Sequence, residues 1–258
     1  MAAAPGKRTL PAYNANCFCS QHLPPVLHPI YQDEHLLVLN KPAGLLCVPG
    51  RGPDKQDCLS LRAQQQWPDA LIVHRLDQAT SGLVVMARNP QVQRQLGDAF
   101  AARQVDKRYM AVVWGTPQTS AVPADNAHLA SMPVDGEAWH LIDQAIAADW
   151  ERRPLRVVDA ATGKPSQTWW RTVTAAEASA LPAPPPGSTR VWLAPVTGRT
   201  HQLRVHMQAV GCPILGDGLY ATEDVQALSP RLLLQAQQLG FVHPVTGERV
   251  EWALAAEF

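Results

Sequence analysis

The stretch LIVHRLDQATSGLVVMARN, residues 71–89, decides how this chain is read. LIV (71–73) and GLVVMA (82–87) are apolar runs of strand length and strand composition. Between them lies a compact polar cluster of His74, Arg75, Asp77, Thr80, Ser81 and Gly82. A plain turn between two strands needs no such set, so the cluster asks for a second purpose.

The rest of the chain sets the bounds. Its 258 residues are enough for a sizeable core, in one large domain or two small ones. Hydrophobic residues make up 46% and charged residues 17%, the balance of a soluble globular protein. No run of about 18 apolar residues exists, so no membrane span is expected. The start, MAAAPGKRTLPAYNANCFC, lacks the apolar stretch of a secretory signal, and a cytoplasmic protein is expected. The cysteines are Cys17, Cys19, Cys47, Cys58 and Cys212; an odd count at irregular spacing points to free thiols. Cys17 and Cys19 form a lone C-x-C, and no metal site is expected.

Charge is balanced at 22 basic and 22 acidic residues. Its distribution is uneven, with arginines and lysines gathered over 88–108 and 151–171 and acids late in the chain. A basic face on a neutral protein is compatible with that pattern, as are scattered solvated charges.

Residues 1–28 show no period and read as an irregular N-terminal extension, leaving 29–258 as one domain. HLLVLN (35–40) stopped by KPAG predicts a strand and turn. CLSLRAQQQW (58–67), PQVQRQLGDAFAARQV (90–105) and RTHQLRVHMQAVG (199–211) predict helices. KRYMAVVWG (107–115), LRVVD (155–159), SQTWWRTVT (166–174) and RVWLAPV (190–196) predict strands, and RLLLQAQQLGFVHP (231–244) mixes an apolar run with a strand. Strands outnumber helices without regular alternation. This predicts an α+β fold with a mixed, largely antiparallel sheet and flanking helices.

Three polar clusters each stand at the end of a strand-like run: the one around Asp77, then Lys107, Arg108 and Tyr109, then TGRTHQLRVH (197–206). Ser81 is not in a nucleophile elbow, and no phosphate-binding glycine loop is present. His201 and His206 are five residues apart, on different helix faces, so they do not share a metal. What remains is one carboxylate in a polar turn, with arginines and a tyrosine available from elsewhere. Such a carboxylate can act as a nucleophile, and a neighbouring arginine favours its charged form. It can equally satisfy backbone N–H groups in its own turn and pair with Arg75. Arg199 reads as a charge in a helix's first turn, where the dipole does not favour it.

Together HRLD-x-x-TSGL, K-R-Y and TGR-T-HQLRVH resemble the RluA family of RNA pseudouridine synthases, with support from LNKPAGLLCVPG, TGKPSQT, GCPILGDGLYA and SPRLLLQAQQLGFVHP. The resemblance runs from about residue 29 to the end. VPGRGPD, TGKPSQT and SPRLLL bring the chain nearest to the family's namesake, which modifies a uridine in a tRNA anticodon loop and one in a 23S rRNA hairpin. It implies an α+β pseudouridine synthase fold with a central active-site cleft, residues 29–258 forming the catalytic domain, and an isomerase that needs neither cofactor nor metal, works as a monomer and binds RNA. It also implies roles. Asp77 matches the catalytic aspartate, Arg199 the arginine that pairs with it, and Tyr109 the tyrosine that packs on the uracil and can take its C5 proton. Arg75 matches an arginine that enters the stack where the base leaves. His74, Thr80, Lys107, Arg108, His201 and Arg204 complete the expected RNA-binding set. Gln235 departs from the histidine common in relatives. A catalytically silent RNA-binding protein of the same fold is the alternative, with a carboxylate-dependent hydrolase behind it; the latter lacks the second placed carboxylate of glycoside chemistry.

Overall fold

The computed structural model describes residues 26–118 and 135–258. Most of the N-terminal extension, with Cys17 and Cys19, lies outside the described residues. GLVVMA is a strand buried on both faces, which is why it reads as a continuous apolar run rather than an alternating one. It belongs to β4 (Ser81–Ala87). Val84 and Met86 face one core with α1 (Leu59–Gln66), and Leu83, Val85 and Ala87 face another with α2 (Pro90–Ala101). β2 (Leu36–Lys41) repeats the pattern, with Leu37 and Leu39 on the first side and Leu36 and Val38 on the second.

The remaining strands extend this sheet. They are β1 (Pro29–Gln32), β3 (Leu71–Ile72), β5 (Asp106–Trp114), β6 (His140–Asp143), β9 (Gln167–Thr172), β10 (Ser188–Pro195), β11 (Leu234–Val242) and β12 (Arg249–Ala253). The order is β1-β2-β4-β11-β5-β10-β9-β6, with β3 on β4 and β12 on β11. Among the described residues every pairing of these strands is antiparallel except β4 with β11. A separate ribbon of β7 (Ile146–Ala148) and β8 (Arg156–Val158) stands beside the sheet. The expected α+β fold with a mixed, largely antiparallel sheet is what the chain adopts.

Two helix boundaries differ from the sequence reading, and for local reasons. α2 ends at Ala101 rather than running to 105, because Arg103 takes a left-handed backbone (φ 61°) and Val105 turns in to the core. The helix expected over 199–211 is α4 (Gln202–Ala209). His201 is left-handed (φ 58°), so Arg199 lies in the preceding turn and not in the helix. Two short helices, α3 (Ala175–Ala178) and α5 (Glu223–Ala227), complete the α-helices of the described residues, and a 3-10 turn spans Pro53–Lys55.

The parallel contact of β4 with β11 sets the centre of the molecule. Gly82 has φ 114° and lies against Ala236, where a Cβ would come within 2.2 Å of the Ala236 carbonyl oxygen. Only glycine allows β11 to lie that close, so the glycine of TSG in the opening stretch is required by the sheet. The loop before it thereby opens beside β5, and α4 packs behind with Leu203 and Met207 in a core shared with β5 and β10.

Candidate active site

The loop between β3 and β4 is fastened at almost every point except its carboxylate. Leu76 is buried, and its N–H donates to Cys47 Sγ at 3.2 Å. The Gln78 carbonyl accepts from Gly44 N–H at 2.8 Å and from Lys41 Nζ at 3.1 Å. Thr80, itself buried, closes the turn by donating its N–H to the Asp77 carbonyl at 3.1 Å. The Asp77 carboxylate accepts no hydrogen bond from any described residue and does not pair with Arg75. That excludes the bland reading of Asp77, because the main chain does the work that its side chain would do in a turn.

The partner of Asp77 is a correction to the sequence reading. Arg199 does not meet it. Arg199 is exposed, with its Nε donating weakly to the Pro165 carbonyl at 3.4 Å. The nearest cation is Arg204, whose Nη1 is 3.8 Å from Asp77 Oδ2. The reason lies in the backbone. The left-handed His201 ends the TGRT turn, and α4 then carries Arg204 inward on its buried face. Arg204 also makes a two-pronged pair with the fully buried Asp217, Nε to Oδ2 at 2.8 Å and Nη2 to Oδ1 at 2.6 Å. Burial works against the guanidinium charge, but the Asp217 hydrogen bonds outweigh it and hold the pKa above its ordinary value.

Tyr109 completes the floor. It lies on β5 between two core clusters, and it and Asp77 line the same cleft of about 490 Å³. Burial, followed by the charge of Asp77, pushes its phenol well up, so the ring is held neutral. Lys107 shares the cleft because it is two residues away on the same strand face. Burial pulls its pKa down to about 8. Arg108, between them, faces the other side. It pairs with Asp135 at 2.9 Å and lies over the Trp139 ring at 5.6 Å, so the expected group of three is two in the cleft and one behind it.

The other expected residues divide into fixed and open groups. His74 stacks on Phe100 with centroids 4.6 Å apart, and its Nε2 accepts the Val85 N–H at 3.1 Å. Burial, then Lys107, pulls its pKa down to about 3, so it lines the cleft as a neutral ring. His201 Nδ1 is 2.7 Å from the Tyr220 hydroxyl, which also accepts the Arg156 N–H at 3.0 Å. Arg75 and Arg199 both line the cleft and are both exposed. The basic stretch 151–171 is likewise split. Arg171 is buried against Glu177, whereas Arg153 and Lys164 are exposed.

Three positioning residues escaped the sequence reading. Lys41 is wholly buried and donates to the carbonyls of Pro42, Leu45 and Gln78 at 2.8, 2.8 and 3.1 Å. Burial brings its pKa down to about 8. A lysine closing an apolar strand in LNKPAG is the one signal it leaves. Gln202 has its amide fully engaged: Oε1 accepts from Thr197 Oγ1 and Arg199 N, and Nε2 donates to the Gln167 carbonyl and Thr168 Oγ1. Asp217 holds Arg204. Gln235, the departure noted above, is buried and ties down the C-terminal segment through Ala255 and Glu257.

Comparison with known proteins identifies the family. Residues 35–209 match the RNA pseudouridylate synthase family. The dual-specificity RNA pseudouridine synthase RluA of Yersinia pestis is 43% identical over 89% of this chain and 98% of its own length. Its counterpart in Haemophilus influenzae is 40% identical over 92% and 96%. Among solved structures, human RNA pseudouridylate synthase domain containing 1 is similar at a TM-score of 0.64, with 26% identity over 89% of this chain and 83% of that one. Among the described residues no helix is long and apolar enough to cross a membrane.

Proposed function

The chain belongs to the RNA pseudouridylate synthase family and isomerises uridine to pseudouridine in RNA, and from that premise we propose that Asp77 is its catalytic residue. The observation that carries this is a carboxylate in the cleft with no hydrogen bond, facing one fixed guanidinium. A silent RNA-binding protein has no use for that arrangement.

The reaction breaks the N1–C1′ bond of uridine, turns the uracil, and joins C5 to C1′; the proton on C5 leaves and N1 ends protonated. The target nucleotide must first leave its stack, at a cost of about a few kcal/mol. Arg75, planar and exposed at the edge, fills the space it leaves. The uracil stacks on the neutral ring of Tyr109. Asp77 then either attacks C1′ or removes the C2′ proton, and Arg204 neutralises it electrostatically in both cases. Because the Tyr109 phenol is held neutral, it acts on the C5 proton as a relay rather than as a standing phenolate. Lys107, His201 and Arg199 contact the surrounding backbone. The relatives are named for dual specificity, and with the resemblance of VPGRGPD, TGKPSQT and SPRLLL this supports a tRNA anticodon loop and a 23S rRNA hairpin as the two substrates.

The test is pseudouridine mapping of total RNA incubated with the purified protein and with the Asp77→Asn variant. New modification at one anticodon-loop uridine and one 23S hairpin uridine, absent with the variant, is expected. Modification that persists with Asp77→Asn would overturn the role of Asp77. Modification elsewhere would overturn the two substrates and leave the role intact.

A further inference from the structure

Beside the cleft runs a second groove of about 1050 Å³. The two share Gly198 and Arg199, so one leads into the other over the TGRT turn. One wall is the β7–β8 ribbon, and the groove is lined by Arg51, Arg153, Arg156, Lys164 and Arg199. None of these five has a carboxylate partner among the described residues. Arg152, in the same ribbon, is paired with Asp149 and points the comparison: neutralisation is available here and those five lack it. Arg156 Nε is buried without any hydrogen-bond partner.

At the tip of the ribbon stands Trp150, 72% exposed. Leaving an indole in water forgoes a large apolar burial, so it marks a contact surface when charge surrounds it. Its orientation is not left free. The Arg153 guanidinium lies 4.0 Å from the ring centroid and covers one face. The ribbon itself is fastened at its base. Ile146 and Lys164 exchange both backbone hydrogen bonds at 3.0 and 2.9 Å, and Arg156 N–H donates to the Tyr220 hydroxyl. A rigid arm thus presents one open aromatic face above a groove of unpaired cations.

We propose that this groove is a second RNA-binding site, in which an unpaired base flanking the target uridine stacks on Trp150 while Arg153, Arg156 and Lys164 hold its phosphates. The inference rests on RNA being the substrate. Stacking on an aromatic platform tolerates any base, and phosphate contacts carry no sequence, so the site grips the substrate's shape rather than its letters. A protein partner with an acidic surface would use the cations but not leave the indole face open to a flat ring.

The test separates this inference from the catalytic one by reading affinity and turnover apart. A fluorescently labelled RNA stem–loop carrying the target uridine is titrated with wild-type protein, Trp150→Ala, Trp150→Phe and the triple variant Arg153→Ala/Arg156→Ala/Lys164→Ala, across a series of salt concentrations. Trp150→Ala is expected to weaken binding roughly ten-fold with an unaltered salt slope, and Trp150→Phe to recover most of that loss. The triple variant is expected to flatten the salt slope by about two to three. In turnover the Trp150→Ala loss is expected in KM rather than kcat. Equal affinity of Trp150→Ala and wild type would overturn the proposal, as would a salt slope indifferent to the triple variant. Pseudouridine formation by the wild-type protein in the same tubes tests the catalytic reading separately, and its failure would leave the affinity result standing.

Discussion

The floor and the rim of this cleft are built on opposite plans. On the floor, Arg204 is 4% exposed and meets two carboxylates, Gln202 is buried with its amide engaged on every side, and Lys41 is buried among three carbonyls. At the rim, Arg75 and Arg199 are exposed, and neither is paired with a described carboxylate. The difference is physical. A group that must stabilise charge during bond breaking is most useful when fixed before the substrate arrives. A group that must trade counterions for phosphates is most useful when unpaired. Arg199 and Arg204 are five residues apart in one motif and stand on either side of that division.

The largest break in the comparison comes from removing Asp217. Asp217→Ala leaves the Arg204 charge buried with only a distant partner, and ~3–5 kcal/mol of stability is expected to go. Urea denaturation reads this directly, and a loss under about 1 kcal/mol would show that the floor is not held by this pair. Next is Lys41→Met, which removes the Lys41 donor from the Pro42 and Leu45 carbonyls and leaves the Gln78 carbonyl with Gly44 N–H alone. A loss of ~1–3 kcal/mol is expected, with a fall in single-turnover rate as the Gln78 end of the Asp77 turn loosens. Stability lost with no change in rate would separate Lys41 from the site.

A smaller effect is expected with pH. His74 is neutral in the fold because burial holds its pKa near 3, whereas in the unfolded chain it titrates near 6.5. The folded state therefore binds fewer protons than the unfolded one between those values, and stability is full above pH 6.5 and falls as pH drops below it. His201 and His206, both lowered chiefly by burial, act in the same direction. His74→Phe is expected to flatten the slope between pH 6.5 and 5, where one such histidine contributes up to ~1.4 kcal/mol per pH unit. An unchanged slope would show that His74 takes up its proton inside the fold.

Some of this was legible in the sequence and some was not. The doubly buried β4 was readable because both faces are apolar, and α2 because Val92 and Leu96 repeat at helical spacing. Asp77 and Tyr109 were found as polar residues at strand ends. The choice of Arg204 over Arg199 was not readable, since it turns on a left-handed His201, a backbone state uncommon outside glycine. Arg108 was grouped with Lys107 by adjacency, although neighbours on a strand face opposite ways. Lys41, Asp217 and the Trp150 ribbon were missed because the contact that ties each to the site is distant in sequence, Gln78 for Lys41, Arg204 for Asp217 and Tyr220 for the ribbon.

The measurement that tests the division most directly is the single-turnover rate constant and the RNA affinity of Arg204→Met and Arg199→Ala, taken on one stem–loop substrate. The expected result is a rate lower by a factor of about 10² or more for Arg204→Met with affinity within a few-fold, after circular dichroism shows it folded. For Arg199→Ala a several-fold loss of affinity is expected, with a salt slope lower by about one and a rate near wild type. A rate collapse in Arg199→Ala at intact affinity would contradict the account and return the aspartate's partner to the rim.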